Sequence, residues 1–273
     1  MTADRTVFLP VATRPSVETC VDHARRAQAL GYDRVWLAES WGRDLVTILT
    51  SVARETTELG ISASILPVYF RSPALLGQTA VTLQEVADGR VRIGLGPSSA
   101  AVVEGWHGAT YGNPLKRTRE TIEIARRVCT GAPVDYDGTY FDLEGFELRC
   151  EPPDTPPTID AAGIGPKAVE LAGWFADGWH ALMFTREGLA SRMAALRGGA
   201  PPRRPTRGPR PRGPPRDGNC LLLCPERPQA GEGAPEGVVR VLHRRVRPVF
   251  QGEHRQAGLR GRCDHDRQPL AAR

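Results

Sequence analysis

No stretch of 18 or more apolar residues occurs anywhere in the 273-residue chain, so no segment reads as a membrane-spanning helix. The opening MTADRTVFLPVATRP lacks a charged segment followed by a long apolar one, and no secretory leader is expected. Cysteine is sparse and poorly spaced. Cys20, Cys129 and Cys150 stand alone, and Cys220 with Cys224 makes only a C-x3-C pair, so neither a zinc site nor a disulfide framework is expected. No metal is expected, and the cytoplasm is the expected compartment. Nor does a Gly-x-Gly-x-x-Gly pattern follow the first predicted strand, which argues against a dinucleotide-binding open sheet.

Lysine is absent from residue 195 onward. That stretch holds 17 Arg, 12 Pro and 11 Gly among its 79 residues, a composition that buries little apolar surface. Arg, Pro, Gly and Ala have the codons richest in G and C, so the tail reads as a G+C-rich gene translated out of frame; a genuine disordered Arg/Pro-rich extension is the alternative. Permitted codons for Val241–Leu270, read one nucleotide later, give an aromatic, Gly-rich start (FYIGGYGP) and then an amphipathic helix. The reading expects residues 195–273 to be disordered. The tail also carries the basic charge: 17 Arg against 7 acids is +10, and the whole chain is +5, leaving −5 on residues 1–194. The high isoelectric point therefore gives no ground for specific nucleic-acid binding. A basic tail would hold polyanions only through counterion release.

Up to residue 194, strand and helix patterns alternate. Strands are expected at Thr6–Val11, Arg34–Glu39, Gly60–Leu66, Val91–Leu95, Thr158–Ala162 and Trp179–Phe184. Helices are expected from Ser16 to Leu30, Asp44 to Glu55, Ser72-Pro73 to Ala87, Leu115 to Thr130 and Pro166 to Phe175, with a further one capped by Thr185. Val134–Leu148, with its Asp137-Gly138 turn, reads as an inserted hairpin. Such alternation implies a parallel sheet. The expected fold is an α/β (β/α)8 TIM barrel that stops after about six strands, with the sides of the first and sixth strands left open; a doubly wound sheet is the alternative. Residues 1–194 form the incomplete barrel domain and residues 195–273 the tail.

Active sites of parallel barrels lie at the carboxyl ends of the strands, which picks out a short set of residues. Gly163, Ile164 and Gly165 join the fifth predicted strand to a helix, with Lys167 one turn in. Free N–H groups at that helix start suit a phosphate; a tight turn explains the glycines equally well. Ser98 and Ser99 either hydrogen-bond a polar heterocycle or cap the following turn. Glu39, closing the second strand beside Ser40, either moves a proton or serves as a cap or ion-pair partner. His107 and His180 have no metal partner at ligand spacing and read as structural, and Trp106 either walls a flat aromatic ligand or packs in the core, the latter being the expectation.

At these residues the chain resembles the bacterial-luciferase-like superfamily, and within it the branch related to methylenetetrahydromethanopterin reductase. The carriers are GYDRVWLAES (31–40), SILPVYFRSPALLGQTAVTLQEVADGRVRIGLGPSS (64–99), EGWHG (104–108), PLKRTRE (114–120) and PTIDAAGIGPKAVELAGWFADGWHA (157–181). The resemblance implies a TIM barrel that binds coenzyme F420, or alternatively FMN, against a bulge after the third strand. In several members that bulge holds a non-prolyl cis peptide, which maps to Ser64–Ile65. It further implies a phosphate over Gly163–Gly165, a small-molecule substrate and a homo-oligomer. Relatives that oxidise sugars or alcohols carry an acid–His pair where this chain has Glu39-Ser40, and a carboxylate where it has Ser98-Ser99. These departures favour reduction of an activated double bond or iminium over alcohol oxidation. The implied activity is hydride transfer; the alternatives are an FMN-dependent monooxygenase acting with oxygen and a non-catalytic product with a polyanion-binding tail.

Overall fold

The structure, a computed structural model, describes residues 4–9, 14–181, 188–189, 192–193 and 196, and the backbone of 182, 219–223 and 240–244. The first part alternates as expected: β1 (Arg5–Phe8), α1 (Val17–Ala29), β2 (Arg34–Leu37), α2 (Leu45–Glu55), β3 (Gly60–Pro67), α3 (Pro73–Val86) and β4 (Val91–Gly96). A short α4 (Ala100–Gly105) precedes α5 (Pro114–Val128). The hairpin β5 (Val134–Asp137) and β6 (Asp142–Phe146) stands apart from the main sheet, and β7 (Thr158–Ala162), α6 (Pro166–Phe175) and β8 (Gly178–Leu182) resume it. The cap expected at Thr185 lies outside the described residues, as do the ends of the strands expected to reach Val11 and Phe184.

The helix starts follow from side-chain caps. Ser16 Oγ accepts from Thr19 N at 3.0 Å, Asp44 Oδ1 from Thr47 N at 2.8 Å and Ser72 Oγ from Leu75 N at 3.2 Å. Each such cap contributes roughly 0.5–2 kcal/mol. Beyond them, the apolar stripes settle against the sheet: Cys20, Val21, Ala24 and Ala27 of α1, and Leu45, Ile48, Leu49 and Val52 of α2, are buried. They share one core with the outward strand residues Val35, Leu37, Ile61, Ile93, Leu95, Ile159 and Trp179.

Neighbours β1–β2–β3–β4–β7–β8 pair in parallel. Two strands from the Arg-rich region then close the ring. β9 (Asn219–Leu223) runs parallel to β8, and β10 (Arg240–Arg244) runs antiparallel to both β9 and β1. The open sides expected on the first and sixth strands are thus paired, and the expectation of a structureless tail gives way at these two segments. Composition averaged over 79 residues hid two short stretches with apolar residues at their centre, NCLLL (219–223) and RVLHR (240–244), each long enough for a strand.

Alternation along the strands sends the other set of side chains into the barrel. Arg34 Nη1 reaches Ser62 Oγ at 3.0 Å, Arg92 and His180 both reach Asp160, and the Trp36 and His180 rings meet edge-on at 5.0 Å. The interior is therefore polar at its centre, with the buried Trp36 ring packed among the charged groups.

Candidate functional site

Two clefts open at the carboxyl ends of the strands. The first, about 240 Å3, lies beyond β2 and β3 and is lined by Glu39, Ser40, Arg43, Arg71, Trp106 and His107 among others. The second, about 630 Å3, lies beyond β4 and β7, between Pro97, Leu115 and the segment Gly163–Ala168. Between them stands the end of β3. There the pairing with β4 shifts between Ser64 and Leu66, and the Ser64–Ile65 peptide is cis, at the position implied by the resemblance. Glu39 N donates to the Ile65 carbonyl at 3.2 Å, which ties the exit of β2 to this bulge.

In the first cleft Glu39 is not free. Its carboxylate accepts from Arg71 through two hydrogen bonds, 2.5 and 2.8 Å, and from Leu45 N at 3.3 Å. Arg71 also pairs with Asp44 at 2.5 Å. The hydrogen bonds to Glu39 raise the Arg71 guanidinium above its ordinary range. For Glu39 to move a proton, Arg71 must first be displaced. Ser40 is exposed at the cleft wall. Trp106, expected in the core, is 65% exposed. It belongs to the wall because α4 ends there and turns the ring outward. His107 stacks on Phe70 with ring centroids 3.6 Å apart.

At the second cleft the β7–α6 turn behaves as its glycines suggested, but each glycine has its own reason. A Cβ at Gly163 would stand 2.3 Å from the Ala168 Cβ, so this glycine lets the helix pack against the strand end. Its carbonyl accepts from Trp179 Nε1 at 2.9 Å. Gly165, the N-cap of α6, has nothing within 4 Å of a Cβ and provides no side-chain cap, so the start of the helix faces open space. Ile164 is 56% exposed, and Lys167 lines the same cleft. An uncapped helix start beside an ammonium is what an anion needs.

The serine pair divides. Ser99 Oγ caps α4 through Val102 N at 3.4 Å. Ser98 adopts a left-handed conformation, φ 61°, uncommon for a residue with a side chain, and its carbonyl accepts from the Tyr111 hydroxyl at 3.1 Å. Ser64 is 6% exposed and its hydroxyl is buried without a partner among the described residues. Ile65 leans over Gly96, where a Cβ would stand 2.8 Å from Ile65 Cδ1.

Beneath this floor lies a charge cluster that the search of strand ends passed over. Asp160 is 1% exposed and takes two hydrogen bonds from Arg92. Burial pushes its carboxyl up, but the Arg92 guanidinium and the His180 hydrogen bond outweigh that and hold it well below the usual carboxylate range. Burial beside Arg92 pushes Arg34 down to about 10, still charged at neutral pH. The available signal was charge at inward positions of otherwise apolar strands: Arg34 in RVWL, Arg92 in VRIGLG and Asp160 in TIDAA. Among the described residues no group of three or more His, Cys, Asp or Glu is placed to hold a metal, and no helix is long and apolar enough to cross a membrane.

Known proteins similar to this chain identify the fold. The chain is 33% identical over 171 residues to a Mycobacterium tuberculosis protein named as a coenzyme F420-dependent oxidoreductase, covering 58% of this chain and 49% of that one. It is 32% identical over 157 residues to the 5,10-methylenetetrahydromethanopterin reductase of Archaeoglobus fulgidus, covering 57% and 46%. The solved structure of the coenzyme F420-dependent tetrahydromethanopterin reductase from Methanopyrus kandleri superposes with a TM-score of 0.66 at 18% identity, covering 72% of this chain and 60% of that one. The chain spans about half the length of these curated relatives. The sequence model for luciferase-like monooxygenases matches residues 5–212, more than half of the chain, and the chain belongs to that family.

Proposed function

We propose that this chain is built to bind coenzyme F420 and to transfer a hydride between it and a small organic substrate. The observation that carries the reading is the second cleft. An uncapped helix start at Gly165 and the Lys167 ammonium face an open volume of about 630 Å3, a few residues beyond the β4–β7 strand ends. A phosphate-bearing cofactor fits that donor set, and the buried Ser64 hydroxyl, without a partner among the described residues, offers a polar contact at the bulge. Bound F420 would supply the hydride carrier. The chain's part is to hold the phosphate at Gly163, Ile164, Gly165 and Lys167 and to support the ring against Ser64, Ile65 and Ser98. Ser40 and Glu39 wall the first cleft, where the substrate would enter; Glu39 serves as proton carrier only if substrate binding frees it from Arg71. The relatives named for F420 support the reading.

FMN with oxygen-dependent turnover is the second reading, favoured by the description of the matching family. Fluorescence titration of the 273-residue protein with F420 and with FMN separates the two. Saturable F420 binding is expected; FMN binding with oxygen-dependent turnover, and none of F420, overturns the proposal. We also infer that the segment from about residue 195 is translated out of frame and lowers activity. An inserted or deleted base around codons 193–200 is the expected result, and an intact frame there refutes it.

A further inference from the structure

The polar side chains inside the barrel form a chain of hydrogen bonds with a fixed direction. Arg92 can only donate, and it gives both of its bonds to Asp160: Nη2 lies 2.7 Å from Oδ1, and Nε reaches Oδ2. The Asp160 carboxylate can only accept, so His180 Nε2, 2.9 Å from Oδ2, carries a proton and donates it. Arg34 stands in the same interior, donating to Ser62 Oγ at 3.0 Å. With two guanidiniums already beside one carboxylate, a cationic imidazole would be a buried charge without compensation. In the neutral Nε2–H form, Nδ1 is a bare acceptor.

That Nδ1 is buried without a partner among the described residues, in a residue with no exposed surface. It lies against Gly94, where a Cβ would stand 2.5 Å from it. Gly94 is in turn the register partner of Ser64 on the adjacent strand, and the Ser64 hydroxyl is also buried without a partner. One lone acceptor and one lone donor thus flank the same glycine, directly beneath the bulge.

We infer that His180 is a positioning residue for Ser64, its Nδ1 accepting the Ser64 hydroxyl proton through one bridging water, since neither atom bonds the other directly. Arg92, Asp160 and His180 then fix the polarity of Ser64, which presents only lone pairs to the floor of the site. A ligand seated on the bulge must bring an N–H or O–H to Ser64; a carbonyl there meets another acceptor. This last step rests on the cofactor-site reading above, whereas the link between Ser64 and His180 does not.

Long-range 15N–1H spectra of the imidazole in the free protein test that link. The neutral Nε2–H tautomer is expected, with an Nδ1 resonance that shifts in Ser64→Ala toward that of an unbonded acceptor. An Nδ1–H tautomer, an imidazolium at neutral pH or an Nδ1 resonance indifferent to Ser64→Ala overturns the inference. Titrations with F420 and FMN give a second readout. Ser64→Ala and His180→Phe are each expected to weaken binding about three- to tenfold, and the double variant no more than Ser64→Ala alone. Losses that multiply refute the coupling. If neither cofactor binds the wild-type protein the cofactor reading fails, and the spectra still decide the link.

Discussion

Two groups of arginine and carboxylate sit about the same site and do different work. Inside the barrel, Arg92 and Asp160 have side chains only 10% and 1% exposed, and every strong partner is another interior side chain. At the rim, Arg71 divides itself between Glu39, 7% exposed, and Asp44, 50% exposed. The chemistry is the same but the solvent differs. An interior pair stripped of one member leaves a charge that water cannot reach. The Arg71–Asp44 arm, half exposed at Asp44, can open, let water replace the lost partner and close again. The interior group is therefore suited to holding a geometry and the rim group to changing one.

The largest effect is expected from Asp160→Asn, which removes the only carboxylate facing Arg92 and His180 among the described contacts. Loss of one partner of a buried pair costs about 3–5 kcal/mol, readable as a lowered denaturant midpoint. The pH dependence has a definite sign. The folded-state carboxyl is held below its ordinary value, so its contribution is complete above the unfolded pKa, about 3.9, and drains away as pH falls through the lower folded value. The wild-type protein should lose stability between about pH 5 and 2 more steeply than Asp160→Asn. Equal slopes would place the two arginine groups in the same class and break the comparison.

Next comes Gly94→Ala. The added Cβ would stand 2.1 Å from His180 Cε1 and 2.7 Å from the Ala63 carbonyl oxygen, so both ring and backbone must shift. Overpacking of this kind costs about 1–3 kcal/mol, and the same melt measures it. At the rim, Arg71→Ala should cost less, about 1–2 kcal/mol, since Glu39 keeps its bond from Leu45 N and can turn toward water. Its more telling readout is salt: the loss should shrink at high ionic strength, whereas the Asp160→Asn deficit should not.

The same contrast explains how far the sequence could be read. Strand–helix alternation, the caps at Ser16, Asp44 and Ser72 and the β7–α6 turn are local patterns, and each appears where expected within a residue or two. The bulge at Ser64–Ile65 came from resemblance and not from local pattern. What stayed hidden depends on pairs far apart in the chain. Arg92 and Asp160 are 68 residues apart and Arg71 and Glu39 are 32 apart; only the folded sheet brings them together. Residues 219–223 and 240–244 failed to show for another reason. The leucines of NCLLL and the Val-Leu pair of RVLHR were averaged into an Arg-, Pro- and Gly-rich background.

The smallest expected change in stability is at Gly165, and its smallness is the point. Neighbouring Gly163 packs against Ala168, but a Cβ at Gly165 meets nothing within 4 Å, and its backbone at φ −71° is open to any residue. As an N-cap, glycine is better than alanine by an amount within the roughly 0.5–2 kcal/mol spread of cap substitutions, and here no side-chain bond is lost. Gly165→Ala should therefore shift the melt by less than about 1 kcal/mol. The methyl group would nonetheless stand in the second cleft, over the helix start that would face a phosphate. F420 affinity should fall about tenfold or more with stability nearly unchanged, and Gly163→Ala should show the reverse weighting. Unchanged affinity in Gly165→Ala would take this turn out of the site and leave its glycines with a purely structural role.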